Sequence, residues 1–447
     1  MYNKRIGFLI SSQHLIPHGG IGQFAKSFTE MCARLNWKVD IILDKSPTGN
    51  FYQLVEGLGA NIIVPHDPLP YSDHTATFAF SDTVNFEKII NFRKAILQSF
   101  ETNIYDMLVC NTQEAMTAAY AMTLGQYIPV VFYTHLHSMI FREAQNFNDV
   151  FLDSYHNFYN KHMEFPDIVI GTQSQKNIDE LSKYGATNCR LLRMPISERG
   201  LLEKSQTEKS GVLFIGRWEE GKNPEAYIRV MKEVGLPCKV MTNSNGKKKF
   251  EKAFADSGIA DYEIKAGITG QEKVDFIKSA SVFFMPSLRE NYPFAFLECL
   301  GHMPCVVLDN QDWSDNFDSR YCHRTSISNA GNLIKELYGT EQLEGALKYV
   351  NQLESNVSQE WVTFLDSFAG KQSKNNSAKI NNVETTKYRD YIESLNRSHL
   401  AREDFESVLT NKHKFTVVYT DKDTYLSKDP NFVPSEDNDS AGLFEGL

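Results

Sequence analysis

Two glutamates, Glu290 and Glu298, stand eight residues apart in the stretch Ser287 to Glu298. A short apolar run, Ser281 to Met285, precedes them and reads as a buried parallel strand. A helical segment closed by Gly301 and Pro304 follows, and then a second strand at Cys305 to Leu308. The carboxylates therefore flank a strand-to-helix turn. Glu290 falls at the carboxyl end of a strand, where open α/β sheets bind ligands. Glu298 is expected about two turns into the helix, close enough in angle to share its face. The backbone N–H groups of Asn291, Tyr292 and Phe294 would be unpaired at a helix start, ready for hydroxyl or phosphate oxygens. The plain alternative is a solvated loop glutamate and a second glutamate on a helix surface.

Three other places carry comparable chemistry. Arg217 and Lys222 lie five residues apart just after the strand Gly211 to Ile215. A guanidinium fork and an ammonium point charge are complementary ways to hold a diphosphate, though a solvated charged loop has the same composition. Near the amino terminus, the strand at residues 5–10 runs through Gly19-Gly20-Ile21-Gly22 into a helix expected from about Phe24 to Asn36. Strand, glycine-rich turn and helix together turn backbone N–H groups toward a phosphate. The spacing is neither a GxGxxG dinucleotide fingerprint nor a Walker loop. Lastly, the apolar strand Pro129 to Tyr133 ends in Thr134-His135-Leu136-His137-Ser138. A histidine at a strand's carboxyl end suits general acid–base work, and equally it can cap the next helix.

These groups need elements to carry them. At 447 residues the chain exceeds one ordinary domain. Strands and helices alternate from residue 5 to the helix Ser174 to Tyr184, with strands at Val39 to Leu43, Asn61 to Val64, Met107 to Cys110 and Ile168 to Gly171. Residues 65–85 read as a polar surface loop, Phe86 to Phe100 as a helix, and Ile196 to Ser210 as a linker. The alternation restarts at Gly211. It continues through a helix to Val234, strands at Cys238 to Met241 and Tyr262 to Lys265, and helices at Lys247 to Asp256 and Gln271 to Ala280. A helix at Val357 to Phe368 ends it. Two successive βα series imply two doubly wound α/β domains. The expected division is 1–196, 197–369 and an extension at 370–447, whose residues 370–382 look linker-like.

Composition narrows the classes. Seven scattered cysteines, odd in number and without a CxxC pair, fit reduced thiols in a cytoplasm rather than a disulfide frame or zinc site. The start Met1 to Ile10 is too short in its apolar run for a signal peptide, and no run approaches a membrane span. A soluble, cytoplasmic protein without membrane contact is expected. The net charge of −10 argues against indiscriminate nucleic-acid binding but leaves room for a local basic groove. Asp421-Lys422-Asp423 reads as a solvated turn rather than a metal site. The tail turns from acidic to apolar at Leu443, Phe444 and Leu447, the pattern of a peptide that docks in another protein's groove.

Taken together, the chain resembles the retaining glycosyltransferases of family four over about residues 5–368. The resemblance rests on Glu290 and Glu298 with Gly301 and Pro304, on Gly216-Arg217 with Lys222-Asn223, on the Gly19-Gly20-Ile21-Gly22 loop, and on His135. It implies the GT-B fold, two Rossmann-like domains facing across a cleft. It also implies roles: Arg217 and Lys222 neutralise the leaving diphosphate of a UDP-sugar, and the Gly20–Ile21 backbone covers that diphosphate. Glu298 binds the ribose hydroxyls. Glu290 and the N–H groups of Tyr292 and Phe294, with Asn291 and Pro293 in the same loop, hold the sugar, and His135 contacts it. No metal or other cofactor is required if the two cations do this work.

A narrower resemblance links Val130 to Ser138, with Arg142, to the DNA α-glucosyltransferases of T-even bacteriophages. Their Tyr-x-His-Asp-His-Ser pattern has an aspartate where this chain has Leu136, which leaves His135 or His137 as the strand-end group. That family modifies 5-hydroxymethylcytosine, so DNA becomes the expected acceptor and a glucose or a pentose such as arabinose the sugar. The basic clusters Lys247-Lys248-Lys249, Lys252, Arg397 and Arg402 would then meet phosphates. The tail resembles those by which phage replication proteins bind the sliding clamp. A polysaccharide or lipid acceptor is the alternative for the same chemistry, and a non-catalytic scaffold acting through its tail is the alternative of another class.

Overall fold

Continuous apolar runs such as Val-Leu-Phe-Ile and Val-Phe-Phe-Met suit strands covered on both faces, and the chain builds two parallel sheets from them. The computed structural model describes residues 4–17, 20–71, 86–100, 103–112, 114–116, 118–119, 128–133, 168–183, 188–196, 198–204, 208–288, 290, 292–340, 345–372, 416–419 and 424–427. His135, His137, Gly19, Arg289, Asn291, Arg397, Arg402, Asp421 to Asp423 and the tail with Leu443, Phe444 and Leu447 lie outside them. Contacts divide the chain into two compact units. The first is Met1–Ile16, Phe28–Leu192 and Trp361–Leu447, and the second is Pro17–Ser27 with Arg193–Glu360.

The first unit carries a seven-stranded sheet in the order β3-β2-β1-β4-β5-β6-β7. Its strands are β1 (Arg5–Leu9), β2 (Lys38–Ile42), β3 (Asn61–Ile63), β4 (Met107–Cys110), β5 (Val130–Tyr133), β6 (Ile168–Thr172) and β7 (Cys189–Leu191). Every described pairing is parallel, with Leu9 opposite both Ile42 and Cys110. Helices α1 (Gly20–Arg34), α2 (Phe51–Gly57), α3 (Phe86–Phe100) and α4 (Gln175–Lys183) connect them. One core joins Leu9, Ile42, Phe92, Ile96, Leu108 and Phe132. The one carboxylate inside β2, Asp40, is buried yet satisfied: it accepts from Arg5 Nε at 2.7 Å and from the Tyr105 hydroxyl at 2.7 Å.

The second unit has a six-stranded parallel sheet in the order β10-β9-β8-β11-β12-β13. Its strands are β8 (Val212–Ile215), β9 (Cys238–Thr242), β10 (Tyr262–Ala266), β11 (Val282–Met285), β12 (Cys305–Leu308) and β13 (Cys322–Thr325). Between them run α5 (Pro224–Val234), α6 (Ser244–Ser257), α7 (Gly270–Lys278), α8 (Phe294–Leu300) and α9 (Ala330–Leu337). Phe214 anchors the core, its ring 5.2 Å from Tyr227 and 5.3 Å from Phe250. A long helix, α10 (Ala346–Gln372), closes the α/β series, and a hairpin of β14 (Thr416–Tyr419) and β15 (Thr424–Ser427) follows.

Several expectations need amending. The stretch 196–210 is not a bare linker: Arg199–Leu202 form a 3₁₀ turn with Leu201 buried. Helix α10 begins eleven residues before the expected Val357 and runs on to Gln372, into the stretch that reads as linker. Strands β7, β13 and β15 and helices α2 and α9 are additional to the elements read from the sequence. Among the described residues no helix is long and apolar enough to cross a membrane.

Trp361 of α10 is fully buried, edge-on to Phe28 at 4.8 Å and stacked on Tyr133 at 6.1 Å. Its replacement leaves a cavity between two aromatic neighbours that cannot close it. Trp361→Ala is expected to cost about 3–5 kcal/mol. Urea unfolding should show this as a lower midpoint with an unchanged slope.

Candidate functional site

In the second sheet the chain winds outward from β8 in one direction and from β11 in the other, so the order reverses between these neighbouring strands. Such a switch point opens a crevice at the strands' carboxyl ends. The loop after β8 carries Arg217 and Lys222, and the loop after β11 carries Glu290. The structure brings Lys222 and Glu290 together, with Nζ 2.6 Å from Oε1. Both remain partly open, the side chains being 27% and 10% exposed.

The two loops are tied to one another by their backbones. Leu288 N–H donates to the Gly221 carbonyl at 2.9 Å, and the Asn223 amide donates to the Pro286 carbonyl at 3.2 Å. Asn223 takes a left-handed conformation, φ 52°, which asparagine tolerates better than most residues, and it ends the turn so that Pro224 can open α5. From the far side the Gln311 amide donates to the Ser287 carbonyl at 2.6 Å.

Arg217 does not join this pair. Its guanidinium is mostly exposed and bonds Glu219, two residues along. Glu298 is also elsewhere than expected. Pro293 is the N-cap of α8, so the helix starts at Phe294 and Glu290 precedes it. Glu298 therefore sits one turn in, and the two glutamates share no helical face. Its carboxylate is 2% exposed and meets Lys273 Nζ, on α7, at 2.6 Å. Burial pushes the Glu298 carboxyl up, Lys273 pulls it back, Glu198 pushes it further up and Lys26 opposes that.

Lys26 and Glu198 themselves form a buried ion pair. Lys26 lies on α1, seven residues into the helix that Gly20 and Ile21 open. Residues 17–27 belong with the second unit by their contacts, so all four charges are internal to it.

Tyr292 is buried, its ring 6.0 Å from Phe317, and the Arg193 charge acts on its hydroxyl. Arg193 also clasps Glu360, with Nε 2.9 Å from Oε1. Behind α8, His302 Nε2–H donates to the Leu201 carbonyl at 2.7 Å, and burial lowers the imidazole to about 4. Among the described residues no three His, Cys, Asp or Glu side chains gather as a metal site would require.

Sequence reasoning missed Lys273, Lys26, Glu198, Arg193 and Glu360. Lys273 did leave a trace: it sits on the same face of α7 as Phe276 and Ile277, a charge in an apolar stripe.

No protein-family model matches the sequence, and no curated protein matches it either. Solved structures do. Sucrose-phosphate synthase from Thermosynechococcus elongatus matches with a TM-score of 0.60 at 12% identity, over 83% of this chain and 100% of that one. HepE of Anabaena, solved with UDP and glucose, matches at 0.56 and 13% identity over the same shares. The pneumococcal O-GlcNAc transferase GtfA, solved with UDP and GlcNAc, gives 0.57 and 11%, again over 83% and 100%. The fold is GT-B. At these identities the likeness speaks for the α/β architecture of two parallel sheets, and for nothing finer.

His302 gives this region a pH signature. Between its ordinary 6.5 and about 4, the unfolded chain takes up a proton that the folded protein refuses. The stability this withholds is intact above pH 6.5 and lost as pH falls toward 4, by up to ~3 kcal/mol. Gln in its place can still donate to Leu201. His302→Gln should flatten that fall relative to wild type, read from urea midpoints at pH 7, 6, 5 and 4.5.

Proposed function

We propose that this protein is a retaining glycosyltransferase that takes a sugar from a UDP-sugar and delivers it to 5-hydroxymethylcytosine in bacteriophage DNA. The observation that carries the donor half is the Lys222–Glu290 pair at the β8/β11 switch point, in a fold shared with proteins solved with UDP. In the reaction the bond between the anomeric carbon and the diphosphate oxygen breaks, and its electron pair leaves on UDP. The acceptor hydroxyl oxygen bonds to the anomeric carbon, and its proton departs with the leaving diphosphate. Negative charge grows on the diphosphate, and a cation already fixed beside it lowers the barrier.

Lys222 is that cation in this reading, and Arg217 supplements it by turning from Glu219 toward the phosphates. Glu290 and the backbone N–H groups of Tyr292 and Phe294 hold the sugar, with Asn291 and Pro293 shaping the loop. The backbone of Gly20 and Ile21, together with Gly19, lies over the diphosphate. Glu298 takes the ribose hydroxyls. His135 or His137 supplies the group that acts on the transferring sugar.

The acceptor half is supported by the strand-end Thr134 to Ser138 and by the tail with Leu443, Phe444 and Leu447, which we read as a clamp-binding peptide. Lys247, Lys248, Lys249 and Lys252 would meet DNA phosphates on an otherwise acidic protein. All four are on α6, where Lys247 and Lys252 pair within the helix with Glu251 and Asp256. The target nucleotide must leave the duplex stack to reach the sugar.

Glu290→Ala and Lys222→Ala are each expected to lower transfer at least ~100-fold while the circular dichroism spectrum is kept. Wild-type turnover in either variant would remove the site assignment. The acceptor and sugar are read together by incubating the protein with a panel of nucleotide sugars and hydroxymethylcytosine DNA, followed by mass spectrometry of the nucleosides. A glycosylated hydroxymethylcytosine is expected. UDP-sugar consumption with no change in any nucleoside, and transfer to a glycan or lipid instead, would replace DNA with the other acceptor class.

A further inference from the structure

The four buried charges around Glu298 are more than the site assignment needs. Lys26, Glu198, Lys273 and Glu298 are each at most 6% exposed, and their signs cancel. Lys273 reaches Glu298 from α7, and Lys26 reaches Glu198 from α1. Glu198 has an oxygen, Oε1, that is buried without a hydrogen-bond partner among the described residues. Burying unpaired ions is costly, and even paired ones are often replaceable by apolar side chains at no loss of stability.

We propose that Lys273 is a positioning residue for the nucleotide: its ammonium fixes the Glu298 carboxylate where that group can accept the ribose hydroxyls of the donor. The proposal rests on the reading of Glu298 as the ribose ligand. A carboxylate accepts from two hydroxyls only when ionised, and burial works against ionisation. The charged groups acting on Glu298 from the packed elements include Lys273 of α7, Glu198 ahead of the 3₁₀ turn and Lys26 of α1. Cys299, its neighbour on α8, is a fully buried thiol that burial keeps neutral. Without Lys273, burial and Glu198 push the carboxyl the same way, and Lys26 opposes them. With Lys273 present the carboxylate sheds its water on folding, not on binding, so the ligand does not bear that desolvation.

The test compares binding of UDP with that of 2′,3′-dideoxyuridine 5′-diphosphate by calorimetry from pH 6 to 9. Wild type is expected to prefer UDP by roughly ten-fold or more at every pH, as hydrogen bonds to a charged group should give. In Lys273→Met the preference should collapse toward one at pH 6–7 and return as pH rises. Lys273→Arg should keep most of it. Glu298→Gln should lose it at all pH values.

The arms separate two failures. If Glu298→Gln keeps the wild-type preference, the ribose reading falls. If Glu298→Gln loses the preference but folded Lys273→Met keeps it at every pH, the role of Lys273 is overturned and the ribose reading stands. Lys273→Gln, which still donates a hydrogen bond but carries no charge, replaces Lys273→Met if that variant does not fold. Wild type offers a check that needs no variant: titrations at pH 7 in two buffers of different ionisation heat. UDP and the dideoxy analogue should exchange equal numbers of protons. Extra proton release with UDP would mean a carboxyl protonated until the ribose arrives, which also overturns the proposal.

Discussion

Parallel pairing of β8 with β11 governs where chemistry can occur in the second unit. The two strands lie side by side, Val212 opposite Val282 and Leu213 opposite Phe283. Their following connections must leave in different directions, because the next strand from β8 is β9 and the next from β11 is β12. The gap this leaves at the carboxyl ends is filled by two loops rather than by helix. Those loops are held at a common height by Leu288 to Gly221 and Asn223 to Pro286, and only then can an ammonium from one meet a carboxylate from the other. The Lys222–Glu290 contact is thus a product of strand order. Nothing in the local sequence of either loop would bring it about alone.

Burial divides the charges of this unit into two kinds. Lys222 and Glu290 keep some exposure, and an incoming anion or hydroxyl can compete for them. The side chains of Lys273 and Glu298 are almost wholly buried, where an ion pair is strong and losing one partner leaves the other stranded. The first pair is partly open to solvent, and the second is closed off from it. His302 belongs with the second kind, since burial holds it neutral and its one strong bond links α8 to the turn at Leu201.

Elements built from apolar runs were legible in the sequence. The expected bounds of α3 and of strands β4 and β12 coincide with those observed, because each run begins and ends at polar or turn-forming residues. Two of the missed strands are at sheet edges: β7, Cys-Arg-Leu, and β13, Cys-His-Arg-Thr. An edge strand has one neighbour and can do without an apolar run, and these two lack one. The site was legible in part. Glu290 and Lys222 announce themselves by their places after strands, but their direct contact depends on strand order. The burial of Glu298 depends on where Pro293 starts α8, three residues after Glu290, and on a lysine from another helix. Arg217 shows the limit of spacing: five residues separate it from Lys222, yet the turn between them sends its guanidinium to Glu219.

The Lys26–Glu198 pair has a consequence for the history of the chain as well as for its site. The second unit is discontinuous: it includes residues 17–27, made first on the ribosome, and residues 193–360, made much later. The opening turns of α1 must therefore wait, through the synthesis of more than 170 residues, for the carboxylate that will neutralise Lys26. Nor can the unit be cut out as a contiguous piece. A fragment of residues 193–360 would lack the cation that pairs with Glu198 in the folded unit.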